Sequence, residues 1–144
     1  MAQANIDVTV FPAFEAKIRH AWLKNIAETA FNLGIESMKC PALPSFCELG
    51  IVISNNETVR QLNKEYRGID KVTDVLSFSS ISDGQWMGNA PDRRAEISNH
   101  TFTTPPGQPK PIGEVLIAYT EAERKAITAN ITIDDELTIL IVHG

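Results

Sequence analysis

Asn63-Lys64-Glu65-Tyr66-Arg67-Gly68-Ile69-Asp70-Lys71-Val72-Thr73-Asp74-Val75-Leu76-Ser77-Phe78 joins the end of a helix to an apolar-rich strand, and the rest of the chain organises on either side of that junction. Upstream, Val59, Leu62 and Tyr66 recur at helical spacing and form a buried face, while Arg60, Lys64 and Arg67 line another. Ser54-Asn55-Asn56-Glu57 reads as a capping box, in which the Ser54 hydroxyl and the Glu57 carboxylate satisfy free backbone N–H groups at the helix start. Downstream, Val72 to Phe78 reads as a strand.

Working outward, Cys47, Leu49, Ile51 and Ile53 fall on one side of a half-buried strand, and Ile6 to Val10 alternate as a shorter one closed by Pro12. Between them, Ile18, Trp22, Ile26, Ala30 and Leu33 place one apolar stripe on a helix that Gly34 is expected to stop. Ile112 to Ala118 forms a further strand, with Gly113 as a bend or point of close approach. Thr120-Glu121-Ala122-Glu123 reads as a second capping box, and Thr132-Ile133-Asp134-Asp135 as the cap of the last helix. That helix, Asp134 to His143, is apolar nearly all round, which places it in the middle of the domain. Interleaved strands and helices give an α+β fold, a small mixed β-sheet with helices packed on it and a central apolar C-terminal helix.

A length of 144 residues, 43% of them hydrophobic, fits one domain with a real core. Residues 79–111, rich in Ser, Gly, Pro, Asn and Thr, read as a long loop within it. The opening MAQANIDVTV has no basic stretch followed by a long apolar run, and no segment approaches the roughly 18 apolar residues of a membrane span. A soluble cytoplasmic protein with no membrane partner is expected, with Cys40 and Cys47 as free thiols. The formal net charge of −5 excludes nucleic-acid binding through an overall positive field and confines any RNA contact to a local basic stripe. Arg60, Lys64 and Arg67, with Lys71 beyond the turn, supply such a stripe; the alternative is an ordinary solvated helix face.

The Asn63 to Phe78 segment resembles the signature of the YbeY family of bacterial rRNA maturation factors, in which a helix ends in a Tyr-Arg pair, a tight turn with an acidic residue follows, and a strand reads Thr-Asp-Val-Leu-Ser-Phe. Leu49 to Ser54, Ile112-Gly113-Glu114-Val115-Leu116-Ile117 and the apolar helix entering His143-Gly144 match the family in the same order, so the resemblance covers nearly the whole chain. Glu114 stands where the family has Asp. The family's metal motif runs from this His-Gly through two more His with the spacing His-x3-His-x5-His, which presents three imidazoles to one zinc ion and leaves a position for water.

The resemblance implies a zinc-dependent endoribonuclease that cuts single-stranded RNA in rRNA maturation and ribosome quality control, with rRNA and ribosomal components as partners and no DNA. It assigns Arg67 the catalytic role of holding phosphate and His143 that of a metal ligand. The nucleophile would be either the zinc-bound water or the RNA's own 2′-hydroxyl. Without the family, His143 reads as a polar residue interacting with the carbonyl end of its helix. Asp74 reads either as a partner orienting a His or an RNA contact, or as a turn residue; His20 and His100 receive no role. The two further His positions would lie beyond Gly144, so the domain is expected to be C-terminally incomplete and to bind zinc weakly. A catalytically inactive RNA- or ribosome-binding module is therefore the alternative to an enzyme, and a non-functional fragment a third reading.

Overall fold

The structure, a computed structural model, describes residues 3–38, 46–79 and 109–144. Strand β1 (Gln3–Val10) leads through a 3-10 turn (Pro12–Lys17) into helix α1 (His20–Met38). Strand β2 (Phe46–Ser54), helix α2 (Asn56–Arg67) and strand β3 (Val75–Ser79) follow, then strand β4 (Lys110–Ala118) and helices α3 (Tyr119–Ala129) and α4 (Ile133–His143).

The strands form one mixed sheet in the order β1-β2-β4-β3, parallel except where β3 runs antiparallel to β4. The expected mixed sheet is thus present, with its third strand starting at Val75 rather than Val72. β4 sits between β2 and β3, and its ladder with β2 slips by one residue: Glu48 faces Pro111 while Leu49 faces Gly113. At Gly113 the chain comes so close to β3 that a Cβ would lie 2.4 Å from the Phe78 carbonyl oxygen. This is the close approach that the sequence suggested.

Side-chain alternation divides the core in two. On one face Ile51, Ile53, Val115 and Ile117 pack with Leu23 and Ala27 of α1, Ala122 of α3 and Leu137, Leu140 and Ile141 of α4. On the other, Leu76, Leu116 and Ala118 meet Val59 of α2, with Leu62 and Phe78 at the margin. Arg19, just before α1, donates to Asp134 at the start of α4 at 2.7 Å and stacks 5.1 Å from the Trp22 ring centre.

Several local expectations are corrected. α1 starts at His20, leaving Ile18 extended at the end of the 3-10 turn, though still buried; Leu23 and Ala27 of the helix are fully buried, while Leu33 is exposed. The helix also runs through Gly34 to Met38. The α2 cap is Asn55, whose side chain accepts from the Thr58 N–H at 2.8 Å, while Ser54 is the last, buried residue of β2. α3 begins at Tyr119 with no side-chain cap, so Thr120 opens no capping box. Thr132 does cap α4, accepting from the Asp135 N–H at 3.1 Å. α4 packs on the sheet face but is not enclosed all round: Ile139 and Val142 remain exposed. The loop interior, residues 80–108, lies outside the described residues, as do His100 and Cys40.

The Gly113→Ala substitution should destabilise the protein by about 1–3 kcal/mol, because the added carbon meets backbone and not a yielding side-chain tip. Gly34→Ala, with open space around the added Cβ within α1, should instead raise stability by about 1 kcal/mol. Urea unfolding midpoints of the two variants, moving in opposite directions, check both.

Candidate nucleic-acid interface and metal-ligand position

The last turn of α2 and the residues after it are locked by complementary devices. Gly68 adopts a left-handed conformation (φ 72°) that ends the helix, its N–H bonding back to the Lys64 carbonyl at 3.0 Å while the Ile69 N–H reaches the Asn63 carbonyl at 3.3 Å. Asn63, buried on the face that also carries Val59, donates from its amide to the Lys71 carbonyl at 2.9 Å. The Gly68 to Lys71 turn is therefore tied down at both ends.

This folding-back directs Asp70 along the helix. Its Oδ1 accepts from Arg60 Nε at 2.8 Å, and its Oδ2 lies 3.7 Å from Lys64 Nζ. The hydrogen bond from Arg60 holds the Asp70 carboxyl below its ordinary range and, reciprocally, holds the guanidinium charge still more firmly. Two of the three cations of the stripe are thus paired. Arg67 and Lys71, both exposed, have no ion pair among the described residues.

β3 connects this region to α4. The Tyr66 ring packs edge-on against Phe78, with centres 5.2 Å apart, on the face that carries α2. The next residue back, Ser77, points to the opposite face, where its hydroxyl donates to the Gly144 carbonyl at 2.9 Å. The Gly144 N–H in turn bonds to the Leu140 carbonyl at 2.8 Å. Consecutive residues of β3 thus receive the ends of α2 and α4 through Tyr66 and Gly144, the chain neighbours of Arg67 and His143. His143 is exposed in the last turn of α4.

The other candidates are placed elsewhere. Asp74 forms an ion pair with Lys125 of α3 at 2.6 Å, and its carbonyl accepts from the Ala118 N–H at 2.9 Å, which makes it an anchor for the start of β3. Glu114 extends over Gly50 on the same face as Leu116, away from the face where Gly144 docks, so its carboxylate does not converge with His143. His20 bonds to Glu15 at 2.7 Å. Cys47 is fully buried, and burial pushes its pKa up. Among the described residues no three His, Cys, Asp or Glu side chains are grouped so as to hold a metal ion. Asp70, Asn63, Ser77 and Lys125 were not singled out from the sequence: their partners lie across a turn or on another element, where periodicity carries no signal.

Comparison with known proteins gives a consistent result. A family model described as Endoribonuclease YbeY matches residues 12–144. A protein named Endoribonuclease YbeY from Dehalococcoides mccartyi is 37% identical over 139 residues, covering 96% of this chain and 78% of that protein. One of the same name from Limosilactobacillus fermentum is 32% identical over 122 residues, covering 84% of this chain and 68% of that protein. The fold resembles a Thermotoga maritima protein solved in solution, with a TM-score of 0.51 over 97% of this chain and 69% of that one at 18% identity. No helix among the described residues is long and apolar enough to cross a membrane.

Removing the Asp74 carboxylate, itself only 16% exposed, leaves the Lys125 ammonium, 44% exposed, without this partner. Asp74→Ala should therefore lower the unfolding free energy by about 1 kcal/mol, since water can still solvate the released ammonium. Asp70→Asn, at a pair half-exposed on both sides, should leave the thermal midpoint close to that of the unmodified protein; differential scanning calorimetry on both compares the two pairs directly.

Proposed function

The chain belongs to the YbeY endoribonuclease family, and from that membership we propose that it binds and cuts single-stranded RNA in rRNA maturation and ribosome quality control, in contact with ribosomal components in the cytoplasm. The observation that carries this reading is the state of Arg67. Its neighbours in the stripe are held by Asp70, while Arg67, at the end of α2, keeps its planar fork open to a phosphate. Bound there, the guanidinium would fix the phosphate and stabilise the charge that builds on it during cleavage.

Zinc belongs to this proposal only as the ion to which His143 would contribute an imidazole; it would supply a water of lowered pKa or polarise a phosphoryl oxygen. A catalytic zinc site takes about three protein ligands, and the grouping of such side chains that it needs is not found among the described residues. Among the described residues the donor set therefore does not make a complete zinc site.

Arg67→Ala should weaken binding of a single-stranded oligoribonucleotide about tenfold or more, corresponding to one lost charge-assisted phosphate contact. Arg60→Ala should change it far less, since Asp70 already occupies that side chain. Equal losses in a fluorescence anisotropy titration would reduce the stripe to general electrostatics.

Zinc should bind the 144-residue chain only weakly, and adding it should not raise RNA cleavage. Calorimetric zinc titration and a cleavage assay beside His143→Ala test this. Tight stoichiometric binding, or cleavage that depends on His143, would mean that further ligands complete the site.

A further inference from the structure

From the Asp70 geometry we infer that Asp70 is a specificity-determining residue: its carboxylate occupies Arg60 and Lys64 as a phosphate would, so that a polyanion meets α2 only at its Arg67 and Lys71 end. The inference rests on the RNA-binding reading and deepens it. Each Asp70 oxygen faces a different cation, Arg60 at 2.8 Å and Lys64 at 3.7 Å, which is how a phosphate would use them. The placement is built into the fold. Gly68 turns the chain back in a conformation other residues rarely adopt, and the buried Asn63 amide holds the Lys71 carbonyl, so Asp70 is delivered to the helix face between two fixed points.

The consequence is a matter of register. Four open cations along α2 and its turn would hold an RNA strand in several alignments, each releasing counterions and none preferred. With Arg60 and Lys64 satisfied internally, the open charge is confined to the end of the helix beside β3, the strand whose other face receives the His143 turn. On a chain of net charge −5, the rest of the surface offers a polyanion little general attraction.

The experiment measures the salt dependence of binding to a fluorescein-labelled oligouridylate for the unmodified chain and for Asp70→Asn, with Asp7→Asn as a control of equal charge change at an exposed position of β1. Release of two cations should tighten binding several-fold at low salt and steepen the log–log slope by about 1.4, twice the about 0.7 of one counterion on a single strand. Asp7→Asn should leave the slope unchanged, and Asp70→Asn should lose its effect when made in an Arg60→Gln/Lys64→Gln background. Heparin elution of the same variants supplies a polyanion that is not RNA. A later elution of Asp70→Asn without oligouridylate binding by any variant would keep the masking and overturn the RNA reading. Binding that depends on Arg67 but is indifferent to Asp70 would overturn the masking and leave the RNA reading in place. Equal slopes and elution for Asp70→Asn and Asp7→Asn would likewise overturn it.

Discussion

The close antiparallel contact of β3 with β4 is the constraint on which the rest depends. β3 stands at the end of the strand order among the described residues, and it is drawn against β4 at Gly113 more tightly than any side chain would allow. Because successive residues of a strand face opposite ways, this one short segment presents Phe78 to α2 and Ser77 to the end of α4. Asp74 anchors its beginning through Lys125 and the Ala118 amide. The candidate groups on the two helices inherit their positions from that strand.

Charge in this protein is arranged more by pairing than by sum. The basic stripe of α2 looks uniform along the sequence, yet Asp70 divides it into a satisfied half and an open half. The exposed pairs contribute little to stability. Their weight falls on which cations remain for a ligand, and a chain of net charge −5 can carry a local phosphate site without becoming a general polyanion binder.

Much of this was legible in the sequence, and the failures have physical causes. The strands showed through period-2 alternation, and α2 through its apolar face, since both patterns reflect burial on one side only. Caps were harder. Ser54, Asn55 and Asn56 are all competent, and Ser54 is excluded because β2 buries it as the strand's last residue. The Ile18 to Leu33 stripe extended a helical period through a residue that the 3-10 turn leaves extended, and so missed Leu23 and Ala27. Hydrophobicity overstated the enclosure of α4, where Ile139 and Val142 stay exposed. At the site, Arg67 stood out within the signature segment. Its isolation from Arg60 and Lys64 did not, because that depends on a turn that brings Asp70 ten residues back along the chain.

The sheet order also sets the sequence of events in folding. β4 lies between β2 and β3 and supplies residues to both halves of the core, yet it follows both of them in the chain. Until it arrives, the pairing of β1 with β2 makes only a two-stranded parallel ribbon, which is too small to stand alone, and the β3–β4 ladder cannot form. Closing β2 onto β4 and β3 onto β4 must each overcome the loop entropy of a long intervening chain, with the second pairing becoming cheaper once the first has fixed β4 in place. A nascent chain halted before residue 110 would expose the apolar faces of β2 and α2 together, the condition in which unpaired strand edges attract other chains.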